Sequence, residues 1–240
     1  MTERVGIVFV SHSSQIAEGL VALAGQMAEA VPLVAAGGTD DDGIGTSFLK
    51  VTDAIAQAQK GAGVVVISDL GSALLIAETV HDTLPDDDRE RVVVVDVPFI
   101  EGGVAAAVAA EGGADLRAVV EAAESARSAW ADSPGADATR ADETGDDASG
   151  NSAAPARYVR EVTLKNRDGL HARPAAEFVK LANTFPVKVT VNGKDAKSLL
   201  GIMSLGLTVG KTAEIASEDA DGTSAVDALA DLVETGFGEA

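Results

Sequence analysis

Along the first 130 positions the apolar residues fall into two alternating kinds of run. "RVGIVFV" at 4–10, "VPLVAAGG" at 31–38, "GVVVISDLGS" at 63–72 and "RVVVVDVPF" at 91–99 are short and rich in β-branched residues. Polar or glycine positions bound them, which predicts buried strands. Between them lie longer amphipathic stretches. Ile16, Leu20, Leu23, Ala24 and Met27 fall at i, i+4, i+7, i+8 and i+11, one apolar stripe of a helix for which Ser13 or Ser14 is the expected N-cap. A polar glycine loop, "TDDDGIGTS" at 39–47, precedes a helical pattern through Ile55. "ALLIAETVHDTL" at 73–84 predicts a helix, and "GGVAAAVAAEGGADLRAVVEAAESARSAW" at 102–130 is helical sequence to Trp130. Continuous apolar strands alternating with helices predict an α/β domain with a doubly wound, mainly parallel sheet covered on both faces.

The pattern changes twice after that. From Asp132 to Ala156 no aliphatic residue larger than alanine occurs, and Pro, Gly, Ser and Asp dominate. Such a segment buries too little to fold and reads as a flexible acidic linker. Its end-to-end distance as a flexible chain is roughly 25 to 30 Å. Beyond it, "YVREVTLKN" alternates like a half-buried strand, "ARPAAEFVKLANTF" is helical, and "VKVTVNGKDAKSLLG" reads as strand, Asn-Gly turn and second short strand. "TAEIASED" is another strand and "TSAVDALADLVETGF" a closing helix. Hairpin signals mixed with helices predict a small α+β unit, an antiparallel sheet carrying helices on one face. The expected organisation is therefore 1–131, a linker at 132–156, and 157–240.

Charge separates these parts further. Of the formal −20, residues 1–131 carry 7 basic and 20 acidic side chains, 132–156 carry 1 and 6, and 157–240 carry 10 and 12. That acidity argues against nucleic acid or an anionic membrane surface as partner, since both need clustered cations. The N-terminus "MTERVGIVFVSHSS" lacks the basic leader and long apolar run of a targeting or membrane segment, so a cytoplasmic protein is expected. Cysteine is absent and the three histidines are scattered, which leaves no thiolate or H-x-x-x-H metal site.

Two of those histidines stand at junctions that suit chemistry. His12 lies just past the carboxyl end of the first strand, where open α/β sheets place ligands and a helix N-terminus offers unpaired N–H groups. Asp69 and Ser72, past the third strand, can reach the same crevice. Asp69 is then placed to orient the imidazole through one ring nitrogen and leave the other as nucleophile, with Ser13 and Ser72 as phosphate ligands. The plainer alternative is that Ser-His-Ser only ends a strand and caps a helix. His171 is the expected N-cap of a helix that opens Ala172, Arg173, Pro174, with Gly169 permitting the tight turn before it. A phosphate on that ring would meet the N–H groups of Ala172 and Arg173, the helix dipole and the Arg173 guanidinium. His81, within a helix, has no such setting. Histidine at both places suits reversible phosphoryl transfer, because neutral imidazole is a nucleophile near neutral pH and its phosphoramidate gives the group up again.

The motifs carry resemblances as well. "GLHARPAAEFV" followed by "GKDAKSLLGIMSLGL" resembles the HPr phosphocarriers of the bacterial sugar phosphotransferase system over almost all of 157–240. That resemblance implies an open-faced antiparallel β-sandwich, His171 as the residue phosphorylated by enzyme I, Arg173 as its assisting arginine, and Ser198 at a regulatory serine position. The local alternative for Ser198 is a cap on the short helix after "KDAK". "VSHSSQIAEGLVALAGQM", "AAGGTDDDGIGTS" and "DLGSALLIAETV" resemble the phosphotransfer subunit family of dihydroxyacetone kinase, DhaM, which has the fold of the mannose-transporter enzyme IIA proteins, over roughly 4–130. This implies that His12 is phosphorylated with Asp69 as its neighbour, and that a homodimer forms through the N-terminal domain. Some relatives continue into an enzyme I-like segment whereas this chain ends at Ala240, so a separate enzyme I is the expected donor. Together the resemblances imply a phosphotransferase component that relays phosphate from enzyme I through His171 and His12 to ADP held by the nucleotide-binding kinase subunit. The product, dihydroxyacetone phosphate, is then made on another polypeptide, with the nucleotide-binding and substrate-binding kinase subunits as the expected partners. No permanently bound cofactor is expected, only phosphohistidine intermediates and the partner's ADP/ATP. The acidic first domain should attract Arg167, Arg173 and Lys180 of the second, an effect weakened by salt. A mannose-type sugar-transport fusion and a phosphorylation-controlled regulatory module remain the alternatives.

Overall fold

The computed structural model describes residues 3–131, 157–166 and 169–238. The linker expected at 132–156 and Arg167 lie outside the described residues. The chain divides into two compact units, one on a parallel sheet and one on an antiparallel sheet.

The first unit runs β1 (Gly6–Ser11), α1 (Ser14–Gly25), β2 (Leu33–Gly37), α2 (Phe48–Ala58), β3 (Val64–Ser68), α3 (Gly71–Thr83), α4 (Asp86–Arg89), β4 (Val92–Val95), α5 (Phe99–Glu111) and α6 (Leu116–Ala131). All strand pairs are parallel, in the order β2-β1-β3-β4. Side chains alternate across a strand, so each central strand feeds two cores. Val8, Val10, Val64 and Val66 pack with Val51, Ile55, Ala73, Ala77 and Val80 of α2 and α3. Phe9 is fully buried and meets the Phe99 ring edge-on at 6.1 Å, on the side taken by α1 and α5. Small residues make that approach possible: a Cβ on Gly103 would collide with the Phe9 ring and crowd Leu20.

Three features differ from the sequence expectation. The α1 stripe is only partly covered: Ala17, Leu20 and Ala24 are buried, while Ile16 and Leu23 are 50% and 43% exposed. The helical sequence at 102–130 is broken in two. Gly113 (φ +84°) lets the Ala114 N–H reach back to the Ala109 carbonyl, a Schellman stop, and Asp115 restarts the helix by capping the Ala118 N–H. The short α4 was not foreseen; its signal is Pro85 ahead of three first-turn aspartates, with Asp86 paired to Arg89 at 2.9 Å.

The second unit runs β5 (Tyr158–Thr163), α7 (Ala172–Asn183), β6 (Thr190–Val191), β7 (Lys194–Asp195), α8 (Leu199–Ser204), β8 (Thr212–Ser217) and α9 (Thr223–Glu234). The sheet order is β5-β8-β6-β7 and every pair is antiparallel. Asn192 and Gly193, both at positive φ, make the expected two-residue turn between β6 and β7. Helix α9 lies on β5 and β8 and packs against α7. Phe178, Leu164, Ile202, Ile215 and Leu229 fill the core at under 2% exposure. Outside it, Arg160 of β5 reaches Asp231 and Glu234 of α9, each at 2.8 Å.

Truncating Phe9 removes the largest side chain shared by the sheet and α5. Phe9→Ala is expected to destabilise the first unit by about 3–5 kcal/mol. A lowered urea midpoint for its helical signal, with the Tyr158 environment of the second unit unchanged at that denaturant concentration, is the check.

Candidate functional site

The strand order puts a crevice between β1 and β3. From β1 the chain leaves through α1 toward β2 on one side, whereas β3 and β4 lie on the other, so the connections part at the carboxyl ends of β1 and β3. His12 is the first residue past β1 and Asp69 the first past β3. The register Val10↔Ser68, continued by the Asp69 N–H bond to the Val10 carbonyl (3.1 Å), brings the two side by side.

The carboxylate of Asp69 is held by three donors. Its Oδ2 accepts from the Ser11 hydroxyl (2.8 Å) and the His12 amide (2.9 Å), and its Oδ1 lies 2.9 Å from Nδ1 of the His12 ring. A carboxylate only accepts, so Nδ1 carries a proton, and in the neutral ring the lone pair lies on Nε2. The Ser72 hydroxyl, in the first turn of α3, is 2.7 Å from Nε2 and donates to it in that neutral form. Burial by itself would push the Asp69 carboxyl up. The hydrogen bonds from the His12 amide, the His12 ring and Ser11, with the attraction of a charged imidazole, outweigh it and hold the group below its ordinary value of 3.8. The His12 side chain is 21% exposed, enough for its Nε2 edge to be approached from solvent.

Backbone close to the ring is fixed by neighbours that sequence reasoning did not single out. Ser11 serves twice, donating to Asp69 and accepting from the Ser13 N–H (3.1 Å). Ser13 occupies the expected N-cap of α1, but its side chain makes no cap bond. The Gly45 N–H donates to the His12 carbonyl at 2.9 Å, which ties the 39–47 loop to the site. That loop is clipped in turn by Lys50, which donates to Asp42 (2.7 Å) and the Gly37 carbonyl (3.2 Å). Gly37 has to be glycine, because a Cβ there would strike the Ser13 carbonyl. The signal for Ser11 was visible as the hydroxyl directly before His12; nothing local marks Gly45.

Exposed apolar side chains accompany this edge of the sheet. Ile16, Ile44, Leu49, Leu70, Leu75 and Ile100 are 45–81% exposed, and all sit in loops or early helical turns that follow strand carboxyl ends. A protein-facing surface accounts for such a grouping better than chance exposure does.

In the second unit His171 is the N-cap of α7, with extended backbone (φ −78°, ψ −178°). Gly169 before it has φ +68°, and any Cβ there would run into the Leu207 carbonyl oxygen. The turn is strapped down at Leu170, whose N–H donates to that same Leu207 carbonyl at 2.8 Å. His171 Nδ1 lies 3.1 Å from the Gly169 carbonyl oxygen. The amides of Ala172 and Arg173 are first-turn donors without helical acceptors, an anion-favouring end. The Arg173 guanidinium, expected to assist at the ring, instead runs along the helix toward Glu177 (3.9 Å) and is 68% exposed. An i,i+4 carboxylate is the nearest charge available to a solvated arginine in this conformation. Ser198 directly precedes α8, and His81 lies 3.3 Å from the Arg89 carbonyl with no constellation like the other two.

Two family profiles match the chain, one described as the PTS system fructose IIA component over residues 6–120 and one as the PTS HPr component phosphorylation site over 158–235. The phosphotransferase subunit DhaM of the PTS-dependent dihydroxyacetone kinase of Lactococcus lactis is 38% identical, over 50% of this chain and 93% of its own length. The chain belongs to the DhaM family. DhaM of Providencia stuartii, the phosphoryl donor subunit of a PEP-dependent dihydroxyacetone kinase, is 32% identical across 98% of this chain. The present DhaM-family chain spans about half the length of that relative, 50%. The phosphocarrier protein HPr of Cupriavidus necator is 40% identical over 33% of this chain and 94% of its own length. This DhaM-family chain thus carries both an enzyme IIA-like and an HPr-like unit, the architecture of a parallel and an antiparallel sheet described above.

Because the Asp69 carboxyl is lowered in the folded state, the stabilisation it provides is complete above its ordinary value and is lost as pH falls through the folded value. The His12–Asp69 contact should therefore persist at pH 5 and dissolve only below about pH 4, followed through the His12 ring nitrogens by NMR. Asp69→Asn removes the charged acceptor and is expected to slow phosphorylation of His12 by phosphoramidate, a small phosphoryl donor, by about tenfold or more, read by mass spectrometry.

Proposed function

We propose that this chain is a two-step phosphoryl relay. Enzyme I of the phosphotransferase system, charged by phosphoenolpyruvate, loads His171; the phosphate passes to His12; and His12 delivers it to ADP held on the nucleotide-binding subunit of dihydroxyacetone kinase. The observation that carries this reading is the division of the His12 ring between Asp69 at Nδ1 and Ser72 at Nε2, in a chain with a second histidine at a helix N-cap.

The chemistry balances with the groups present. The Nε2 lone pair of His12 attacks phosphorus in line, the P–N bond to His171 breaks, and that electron pair returns to the His171 imidazole. The Nδ1 proton of His12 stays on its ring, where Asp69 stabilises the positive charge that N-phosphorylation brings. Ser72 leaves Nε2 as the new bond forms, and its hydroxyl becomes available to a phosphoryl oxygen. In the second step a β-phosphate oxygen of ADP attacks, the P–N bond of His12 breaks, and ATP forms on the partner, which spends it on dihydroxyacetone. ADP and ATP are thus cofactors of the partner, and the sites on this chain need only positioning and charge stabilisation.

The apolar rim around His12 supports protein surfaces as donor and acceptor, since a phosphate held on an exposed edge is passed most directly between docked faces. A flexible connection between the units would raise the effective concentration of one histidine near the other to the order of mM where geometry allows. The proposed setting is the cytoplasm, with the first unit forming a homodimer; β2 and β4, the outer strands of its sheet, are the edges along which two copies could pair.

Reconstitution tests the relay. The chain, enzyme I, labelled phosphoenolpyruvate and the two other kinase subunits should together yield triose phosphate, and no product above the minus-chain control would sink the kinase reading. His12→Ala should leave label on His171, and His171→Ala should leave His12 unlabelled until a free carrier is added. Label on His12 without triose phosphate would point to transport or regulation instead.

A further inference from the structure

Asp69 offers two oxygens, and the structure divides them between different tasks. Oδ2 accepts from the Ser11 hydroxyl at 2.8 Å and from the His12 amide at 2.9 Å, whereas Oδ1 faces Nδ1 of the His12 ring at 2.9 Å. Nothing in an aspartate side chain fixes that division, because rotation about its last bond is broad and brings either oxygen forward. Two donors converging on one oxygen do fix it. They set the plane of the carboxylate and leave Oδ1 to the imidazole.

Ser11 is itself held so that it has no other use for its proton. It ends β1, is fully buried, and its carbonyl accepts the Gly38 N–H at 3.1 Å. Its hydroxyl oxygen accepts the Ser13 N–H at 3.1 Å, so the single hydroxyl proton goes to Asp69. A proton placed on Oδ2 would meet the two donors already there, and the arrangement therefore favours the ionised carboxylate. Burial opposes the charge on Asp69, and the Ser11 bond is among those that outweigh it.

We propose that Ser11 is a positioning residue for His12: its hydroxyl fixes the Asp69 carboxylate in the plane that presents Oδ1 to Nδ1, and so aims Nε2 outward. Its hydroxyl bonds to Asp69 and not to the ring, so it acts through the carboxylate. Phosphorylation at Nε2 brings positive charge onto the imidazole, and Asp69 stabilises that charge best when Oδ1 already faces Nδ1. The role rests on the relay reading in one respect, that His12 takes up phosphate. A buried serine here could instead serve only to anchor the start of α1 through the Ser13 amide. The two roles differ in their dependence on Asp69.

Ser11→Ala in the full chain removes the donor. Phosphorylation of the His12 peptide by phosphoramidate, followed by mass spectrometry, should slow about threefold to tenfold. The pH at which the His12 ring parts from Asp69, followed through ring 15N shifts, should rise, since a carboxylate with one donor fewer is protonated sooner as pH falls. In an Asp69→Asn background the same substitution should change the rate by less than about twofold, because a residue that works through the carboxylate has nothing left to act on. Ser11→Cys keeps the approximate size with a weaker donor and should fall between the parent and Ser11→Ala; it carries the test if a thermal melt shows that Ser11→Ala does not fold. Slowing of equal size in both backgrounds overturns the proposal in favour of a helix anchor, and so does an unchanged rate or an unchanged pH. A parent chain that takes no phosphate at His12 sinks the relay reading instead, while the shift in pH still decides the role of Ser11.

Discussion

The parallel pairing of β1 with β3 is the constraint from which the first site follows. It places the two strand ends in register, so the residue after one is a histidine and the residue after the other is the carboxylate that binds it. Both strands are valine- and isoleucine-rich and buried on both faces. A sheet core of that kind tolerates no register slip, since a shift by one residue would exchange the two sets of packed side chains. The stiffness of the core is thereby passed to the 2.9 Å contact between ring and carboxylate. Asp69, accepting from the His12 amide, and Gly45, donating to the His12 carbonyl, then fix the His12 backbone from either side.

The second site is positioned by a turn and a helix start. Its histidine stands at the start of a helix, and its position comes from a glycine turn packed against the 207–208 backbone. The turn admits no side chain at Gly169, so the local chain has little freedom even though His171 lies at the surface. Helix dipole and unpaired first-turn amides then supply what Asp69 and Ser72 supply elsewhere, a field that favours added negative charge. Arg173 is turned toward Glu177 in this state, so the anion-favouring groups already in place are the backbone amides and not the guanidinium.

Much of this was legible in the residues. Strands with near-continuous β-branched runs, the Asn192-Gly193 turn and the helix opened by "HARPAA" each combine a local signal with a tertiary role, and the structure follows them. The convergence of His12, Asp69 and Ser72 could be read because the carboxyl ends of parallel strands are where such groups meet. Other features were hidden for identifiable reasons. Gly45 acts through an amide, which every residue but proline has, so its sequence carries no mark of it. The break at Gly112–Gly113 was lost in an alanine-rich stretch whose apolar positions show no interruption. Ile16 and Leu23 lie on the apolar stripe of α1 yet stay exposed, because periodicity reports a helix face, whereas burial depends on what covers that face.

The way a ring is gripped bears on transfer. Each of the two has Nδ1 against an oxygen, Asp69 Oδ1 at 2.9 Å for His12 and the Gly169 carbonyl at 3.1 Å for His171. A hydrogen bond to a charged acceptor contributes about 1.5–3 kcal/mol and one between neutral groups about 0.5–1.5 kcal/mol. The His12 ring is also engaged at its other nitrogen by Ser72, so it is held at both edges. In-line attack on phosphorus demands that donor nitrogen, phosphorus and acceptor nitrogen come close to a straight line. If both rings were clamped, two folded surfaces would have to meet within a few tenths of an ångström; if neither were, the alignment entropy would be lost anew in every encounter. A ring held at both edges, as His12 is by Asp69 and Ser72, defines that line before the phosphoryl group arrives.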